Sequence, residues 1–185
     1  MARFLNRGVC TLLALCIFTW PACAEDLRFL SVGIRAQVSG ATVLGDVAPE
    51  EFQQFDAVAT LRLPWQWYSV SGWGAGMRLM ASAGAFRGAG ETALVVSLIP
   101  VVALGSLDGR FTLDLGIGGA LLSKHRFAAQ DFGAPLQFAL TAGVSVPLYE
   151  RLGVGYRFLH YSDAGVHGSN TTGADLHMIE LTYRF

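Results

Sequence analysis

From residue 27 to the C-terminus, apolar residues alternate with polar or small ones in segments of about ten, a period of two that predicts strands with two unlike faces. Residues 27–38 place Leu30, Val32, Ile34, Ala36 and Val38 on one face and Ser31, Gly33, Arg35 and Gln37 on the other. Residues 55–63 set Phe55, Ala57, Ala59, Leu61 and Leu63 against Asp56, Thr60 and Arg62. In the third segment Trp73, Ala75, Met77, Leu79 and Ala81 oppose Gly72, Gly74, Gly76 and Arg78. The fourth, residues 92–102, is apolar on both faces, so its register stays open. A fifth opposes Phe111, Leu113, Leu115 and Ile117 to Thr112, Asp114, Gly116 and Gly118, and a sixth opposes Leu136, Phe138, Leu140, Ala142 and Val144 to Gln137, Thr141, Gly143 and Ser145. The seventh carries Val154, Tyr156 and Phe158 against Gly153, Gly155 and Arg157; the last carries Ile179, Leu181, Tyr183 and Phe185 against Glu180, Thr182 and Arg184.

Eight such segments suffice for the smallest closed barrel. Arg35, Asp56, Arg62, Arg78, Asp114, Arg157, Glu180 and Arg184 all fall on the polar parity, with glycines between them that leave room. An arginine facing lipid at mid-depth costs ~2–4 kcal/mol, so these charges belong in the lumen, paired with one another. A soluble sandwich would also alternate, but with a polar outer face and no buried arginines. The fold class expected is therefore all-β, an eight-stranded antiparallel transmembrane β-barrel. Short connections at 105–109 and 147–151 read as periplasmic turns, and longer ones at 39–54, 84–91, 124–134 and 163–174 as external loops. Trp65, Trp67, Tyr68, Trp73 and Tyr149 sit at strand ends, as interfacial girdles do. The terminal Phe185 after an alternating run is similar to the assembly signal of outer-membrane barrels.

Composition agrees: 52% hydrophobic and 15% charged is apolar for a soluble domain, yet too polar for a helical bundle in a membrane. Part of the excess lies at the N-terminus. Arg3 and Arg7, an apolar run from residue 9 to 20, and Ala22-Cys23-Ala24 form a cleavable secretory signal over residues 1–24, too short to span a bilayer. A lipoprotein reading, with Cys23 acylated, fits poorly with Trp20 and Pro21. Residues 25–185 then form one barrel domain. All three cysteines, Cys10, Cys16 and Cys23, lie in the leader, so the remainder has neither a disulfide framework nor a thiolate site. Removing Arg3 and Arg7 takes the formal charge from -1 to -3, no footprint for nucleic acid. No P-loop or clustered carboxylate site calls for a nucleotide, metal or other cofactor; Gly72, Gly74 and Gly76 read as small lumen residues.

Polar residues break the apolar parity near one end of the last two strands. Counting by twos from Phe158 reaches His160 and Ser162; counting back by twos from Phe185 reaches His177 and Asp175. Neighbouring strands thus bring an imidazole, a hydroxyl and a carboxylate to the lipid-facing side, roughly 25 Å up the wall. A serine hydrolase needs those groups: nucleophile, base and an acid that orients the base. Polar residues that reappear simply because the membrane ends would look the same, and His-x-Ser alone does not decide between the two.

The stretch His160-Tyr161-Ser162-Asp163-Ala164-Gly165 resembles the His-x-Ser-Asn-Ala-Gly segment of the PagL-type lipid A 3-O-deacylases, which are eight-stranded outer-membrane barrels with the active site on the outer wall. The likeness extends through Gly116-Ile117-Gly118-Gly119-Ala120, Leu136-Gln137-Phe138 and Leu152-Gly153-Val154-Gly155-Tyr156-Arg157-Phe158, roughly the last 70 residues. It implies Ser162 as nucleophile, His160 as general base, and Gly165 N–H and Asn170 as oxyanion-hole donors. The family's glutamate falls on Ala174; after what reads as a one-residue insertion around Thr171-Thr172-Gly173, Asp175 is the nearest acid, one methylene shorter. Asp163 replaces the usual asparagine, and His177 receives no role from the family. The resemblance implies hydrolysis of the ester-linked 3-hydroxyacyl chain at position 3 of lipid A, with lipopolysaccharide as substrate, outer-membrane lipids as surroundings and no cofactor. A homodimer is left open. A non-catalytic structural or adhesive barrel is the competing reading, whereas a solute channel is disfavoured by the narrow lumen of eight strands. His125 and Arg126, in the loop over 124–134, read either as contacts to lipid phosphates or as ordinary solvated charge.

Overall fold

The computed structural model describes residues 28–168 and 172–185; the expected leader over 1–24, and Asn170, lie outside them. The strands are β1 (Arg28–Ser39), β2 (Phe52–Tyr68), β3 (Trp73–Gly88), β4 (Glu91–Ser106), β5 (Thr112–Leu122), β6 (Arg126–Phe127), β7 (Gln130–Asp131), β8 (Leu136–Tyr149), β9 (Leu152–Ser162) and β10 (Ala174–Arg184). All except β6 and β7 form a closed barrel in which each long strand pairs antiparallel with its neighbours in the chain, and β1 closes on β10. Closure matters because every backbone donor and acceptor in hydrocarbon needs a partner.

Alternation sets the two faces as expected. Along β2, Gln54, Asp56, Val58 and Thr60 are buried, whereas Phe55 and Ala57 are exposed. The open register of β4 resolves the same way: Ala93, Val95, Ser97, Ile99 and Val101 point inward, and Leu94, Val96, Leu98, Pro100 and Val102 point out. Pro100 lacks an N–H, and the ladder from β4 to β5 is interrupted at Ile99 and Pro100 before resuming at Val101. An outer wall of exposed Leu94, Leu115, Ile117 and Leu121 is far too apolar for water and suits a bilayer.

Inside, five of the eight charges expected in the lumen form ion pairs; among the described residues Arg62 and Arg78 form none, and Arg184 Nη1 instead donates to Gly109 O at 2.8 Å. Arg35 Nε donates to Asp56 Oδ1 at 2.7 Å. Arg157 donates from Nε to Glu180 at 3.1 Å and from Nη1 and Nη2 to Asp114 at 2.6 and 3.1 Å. Gly143 makes room for it: a Cβ there would sit 2.8 Å from the Arg157 guanidinium carbon.

Three connections differ from expectation. The external loop expected over 84–91 does not exist: β3 and β4 continue to Gly88 and Glu91 and turn through Ala89 and Gly90, both at positive φ (50° and 75°). That is the backbone of a two-residue hairpin, and the run of small residues before it had masked a strand. The loop over 39–54 is shorter, because β2 begins at Phe52. The loop over 124–134 folds back as the β6–β7 hairpin and buries Phe127 and Phe132 in the barrel mouth. There they meet Phe52 and Phe86, with Phe52 stacked on Phe86 at 4.7 Å and Phe127 and Phe132 edge-on to Phe52 at 5.4 Å; Phe86 in turn meets Tyr161 edge-on. Arg126, in that hairpin, pairs with Asp131 at 2.9 Å on the exposed side.

Candidate active site on the outer wall

Strands β8, β9 and β10 meet the site from three sides. On β9, Arg157, Leu159 and Tyr161 point into the lumen, so Phe158, His160 and Ser162 face out; on β10, Leu176, Met178 and Glu180 point in, so Asp175 and His177 face out. The register sets Asp175 directly opposite His160 and His177 opposite Phe158, while β8 places Leu140 and Phe138 beside His160 and Ser162. Directly opposed residues have α-carbons only ~4.5–5.5 Å apart, so the shorter aspartate side chain still reaches. Its Oδ1 lies 2.5 Å from His160 Nδ1. An acid at position 174 would fail, since Ala174 pairs with Tyr161 and shares its inward parity. Position 175, opposite His160, is the one that carries a carboxylate on the outer face.

The Asp175 carboxylate does not meet lipid directly: its side chain is 2% exposed, against 14% for His160. The cover comes from the β1–β2 connection. After a bulge between Gln37 and Ser39, the chain leaves the barrel and lies against the wall of β10. Val43 N–H and Leu44 N–H both donate to Asp175 Oδ2, at 2.5 and 2.7 Å. Two residues along β10, His177 lies with Nε2 2.9 Å from Ala41 O and Nδ1 hydrogen-bonded to the Tyr156 hydroxyl. Because Ala41 O can only accept, Nε2 carries the hydrogen, and in the neutral ring Tyr156 therefore donates to Nδ1.

Ser162 ends β9. The turn beyond it passes through Ala164 and Gly165, both at positive φ (53° and 77°), and Asp163 braces it: Gly165 N–H donates to Oδ1 and His167 N–H to Oδ2, each at 2.9 Å. The Gly165 amide expected at an oxyanion hole is thus engaged by Asp163. Gly173 lies over the His160–Ser162 pair. A Cβ there would be 2.7 Å from Tyr161 O, 2.9 Å from His160 Cε1 and 3.2 Å from Ser162 Cβ, so only glycine fits. Its backbone is held from the lumen side by buried Gln130 of the β6–β7 hairpin, which donates to the carbonyls of Thr172 and Gly173.

Of the residues singled out from sequence, His160 and Asp175 come into hydrogen-bond contact and Ser162 shares their face. Among the described residues, no group of three or more His, Cys, Asp or Glu side chains could hold a metal ion. The covering strap, the link from His177 to it, Gly173 and Gln130 were not anticipated. His177 was visible by parity, but its partner lies 136 residues earlier in the chain.

A closed eight-stranded barrel that carries an acid–imidazole pair beside a hydroxyl on its lipid-facing wall defines a narrow class of membrane proteins. A family model described as lipid A 3-O-deacylase (PagL) matches residues 53–184, and the chain belongs to this family. Among curated proteins, the lipid A deacylase PagL of Bordetella bronchiseptica is 33% identical over 76 residues, 41% of this chain. That match spans only 42% of the relative's length. Among solved structures, a crystal structure of the outer membrane enzyme PagL superimposes with a TM-score of 0.67 at 18% identity, covering 84% of this chain and 99% of the other. At that identity the likeness establishes a shared fold.

Proposed function

We propose that this protein is a lipid A 3-O-deacylase of the bacterial outer membrane, working as a serine esterase. The observation that carries the reading is the His160–Asp175 hydrogen bond at 2.5 Å on the outward face, with Ser162 two residues along the same strand. A carboxylate on Nδ1 fixes the tautomer that leaves Nε2 as the proton acceptor a serine needs. Ser162 Oγ attacks the ester carbonyl and passes its proton to His160. The tetrahedral oxyanion then collapses, the bond between the acyl carbon and the sugar oxygen breaks, and His160 gives its proton to that oxygen, which leaves as the sugar 3-hydroxyl. Water, deprotonated by His160, then attacks the acyl-enzyme; the bond from the acyl carbon to Ser162 Oγ breaks, His160 returns the proton to Oγ, and the 3-hydroxy fatty acid leaves. Asn170 and the Gly165 N–H are the oxyanion donors in this reading; the latter must be shared with, or released from, Asp163 Oδ1. The location suits the substrate, because its acyl chains stay in the leaflet while the ester lies at the interface.

The test is expression in a Gram-negative host followed by mass spectrometry of lipid A. Loss of one 3-hydroxyacyl chain is expected with the wild type. Unchanged lipid A from correctly inserted protein would instead favour a structural or adhesive barrel.

A further inference from the structure

We infer that His177 is a positioning residue that holds the Asp175 carboxylate through the strap formed by residues 41–44; this rests on the esterase reading above. Asp175 is anchored at both oxygens, Oδ1 by His160 and Oδ2 by the amides of Val43 and Leu44. Those amides belong to a connection outside the sheet, so their position depends on what ties that connection to the wall. His177 supplies a tie at Ala41, two residues before the first of the two amides. The ring is itself fixed, by the Tyr156 hydroxyl on Nδ1 and by Phe158, whose ring centre lies 5.4 Å away. Hydrogen bonds from Tyr156 to His177 and from His177 to Ala41, the backbone from Ala41 to Val43, and hydrogen bonds from the strap to Asp175 and from Asp175 to His160 thus link the two histidines.

Geometry favours this role over a simple polar residue at the membrane edge. Such a residue would turn both ring nitrogens to water or headgroups, whereas each nitrogen of His177 has a protein partner. An orienting acid also contributes only while its own angle is fixed. A carboxylate free to rotate toward other donors would let the imidazole swing away from the hydroxyl.

The experiment compares His177→Phe and His177→Gln with wild type in the full-length protein refolded in detergent micelles, using purified lipid A and mass-spectrometric product quantification. Phe keeps the ring volume without the donor; Gln retains an N–H that can reach Ala41 O. Both changes are repeated in an Asp175→Asn background, and heat-modifiable electrophoretic mobility verifies barrel assembly. His177→Phe should lower kcat about five- to tenfold with KM nearly unchanged, and His177→Gln should restore most of the loss. In the Asp175→Asn background, His177→Phe should cost nothing further, because the group it positions is already impaired. Wild-type kcat in His177→Phe, a loss confined to KM, or the same loss with and without Asp175 would each overturn the inference while leaving the esterase reading intact. An assembled wild type that leaves lipid A unchanged would remove that reading, and this inference with it.

Discussion

The two faces of the same sheet carry two charged clusters that use their hydrogen bonds differently. In the lumen, Arg157 engages Asp114 with both terminal nitrogens, Glu180 with Nε and Thr141 with a further bond from Nη1. With four of its five N–H donors committed to these partners, the guanidinium ties neighbouring strands together. On the outer wall, Asp175 has partners at both oxygens, but only one of its bonds goes to the imidazole of His160, through Nδ1. The other ring nitrogen remains as the one a serine's proton requires. Both clusters are shielded from the membrane and from solvent. On the proposed esterase reading they differ in whether a proton-accepting position is kept for a substrate, which would separate a structural network from a reactive one.

Substitutions should pull the two apart. The largest effect expected is from Ser162→Ala or His160→Ala: lipid A deacylation should fall at least about a thousandfold by mass spectrometry, with the barrel as stable as before. Asp175→Ala should cost less, about a hundredfold in kcat, since an orienter is less critical than nucleophile or base; wild-type activity would remove it from the triad. Arg157→Met should invert the pattern. It strands Asp114 and Glu180 in the lumen and should destabilise the barrel by about 3–5 kcal/mol in urea titrations, while each assembled molecule keeps its activity. Gly173→Ala should lower kcat about tenfold by displacing the His160 ring, and should also lower stability in urea titrations because the added Cβ meets the Tyr161 backbone oxygen. Gln130→Ala is the mildest. It removes support under Thr172 and Gly173 at a net cost of about 1 kcal/mol, and should lower activity only a few-fold.

Most of the barrel could be read from the chain because period two in a membrane is enforced from both sides: lipid rejects Arg35 or Arg157 facing out, and the narrow lumen rejects a second row of large apolar groups. The same rule located the outward faces of His160, Ser162, Asp175 and His177. It failed where that pressure lapses. In β4 both faces are apolar because Val95, Ile99 and Val101 pack inside, so parity had no marker. At Ala89 and Gly90 the chain turns in two residues, where a run of small side chains had read as a loop. The strap over Asp175 and the Phe127–Phe132 plug depend on contacts between segments far apart in sequence, which no local period encodes. Asp163 illustrates a finer limit: the residue replacing the family's asparagine was plain, but its hold on the Gly165 amide depends on a turn with two consecutive positive φ angles.

Because the His160–Asp175 pair lies on the convex side of a closed wall, with Phe138 and Leu140 alongside on β8, a lipid need not cross the lumen or leave its monolayer to arrive. Encounter becomes a two-dimensional search, governed by lateral diffusion and by the mole fraction of substrate among its neighbours. Turnover should then follow surface dilution: adding inert detergent at constant total lipid A should slow the reaction, although the bulk concentration never changes.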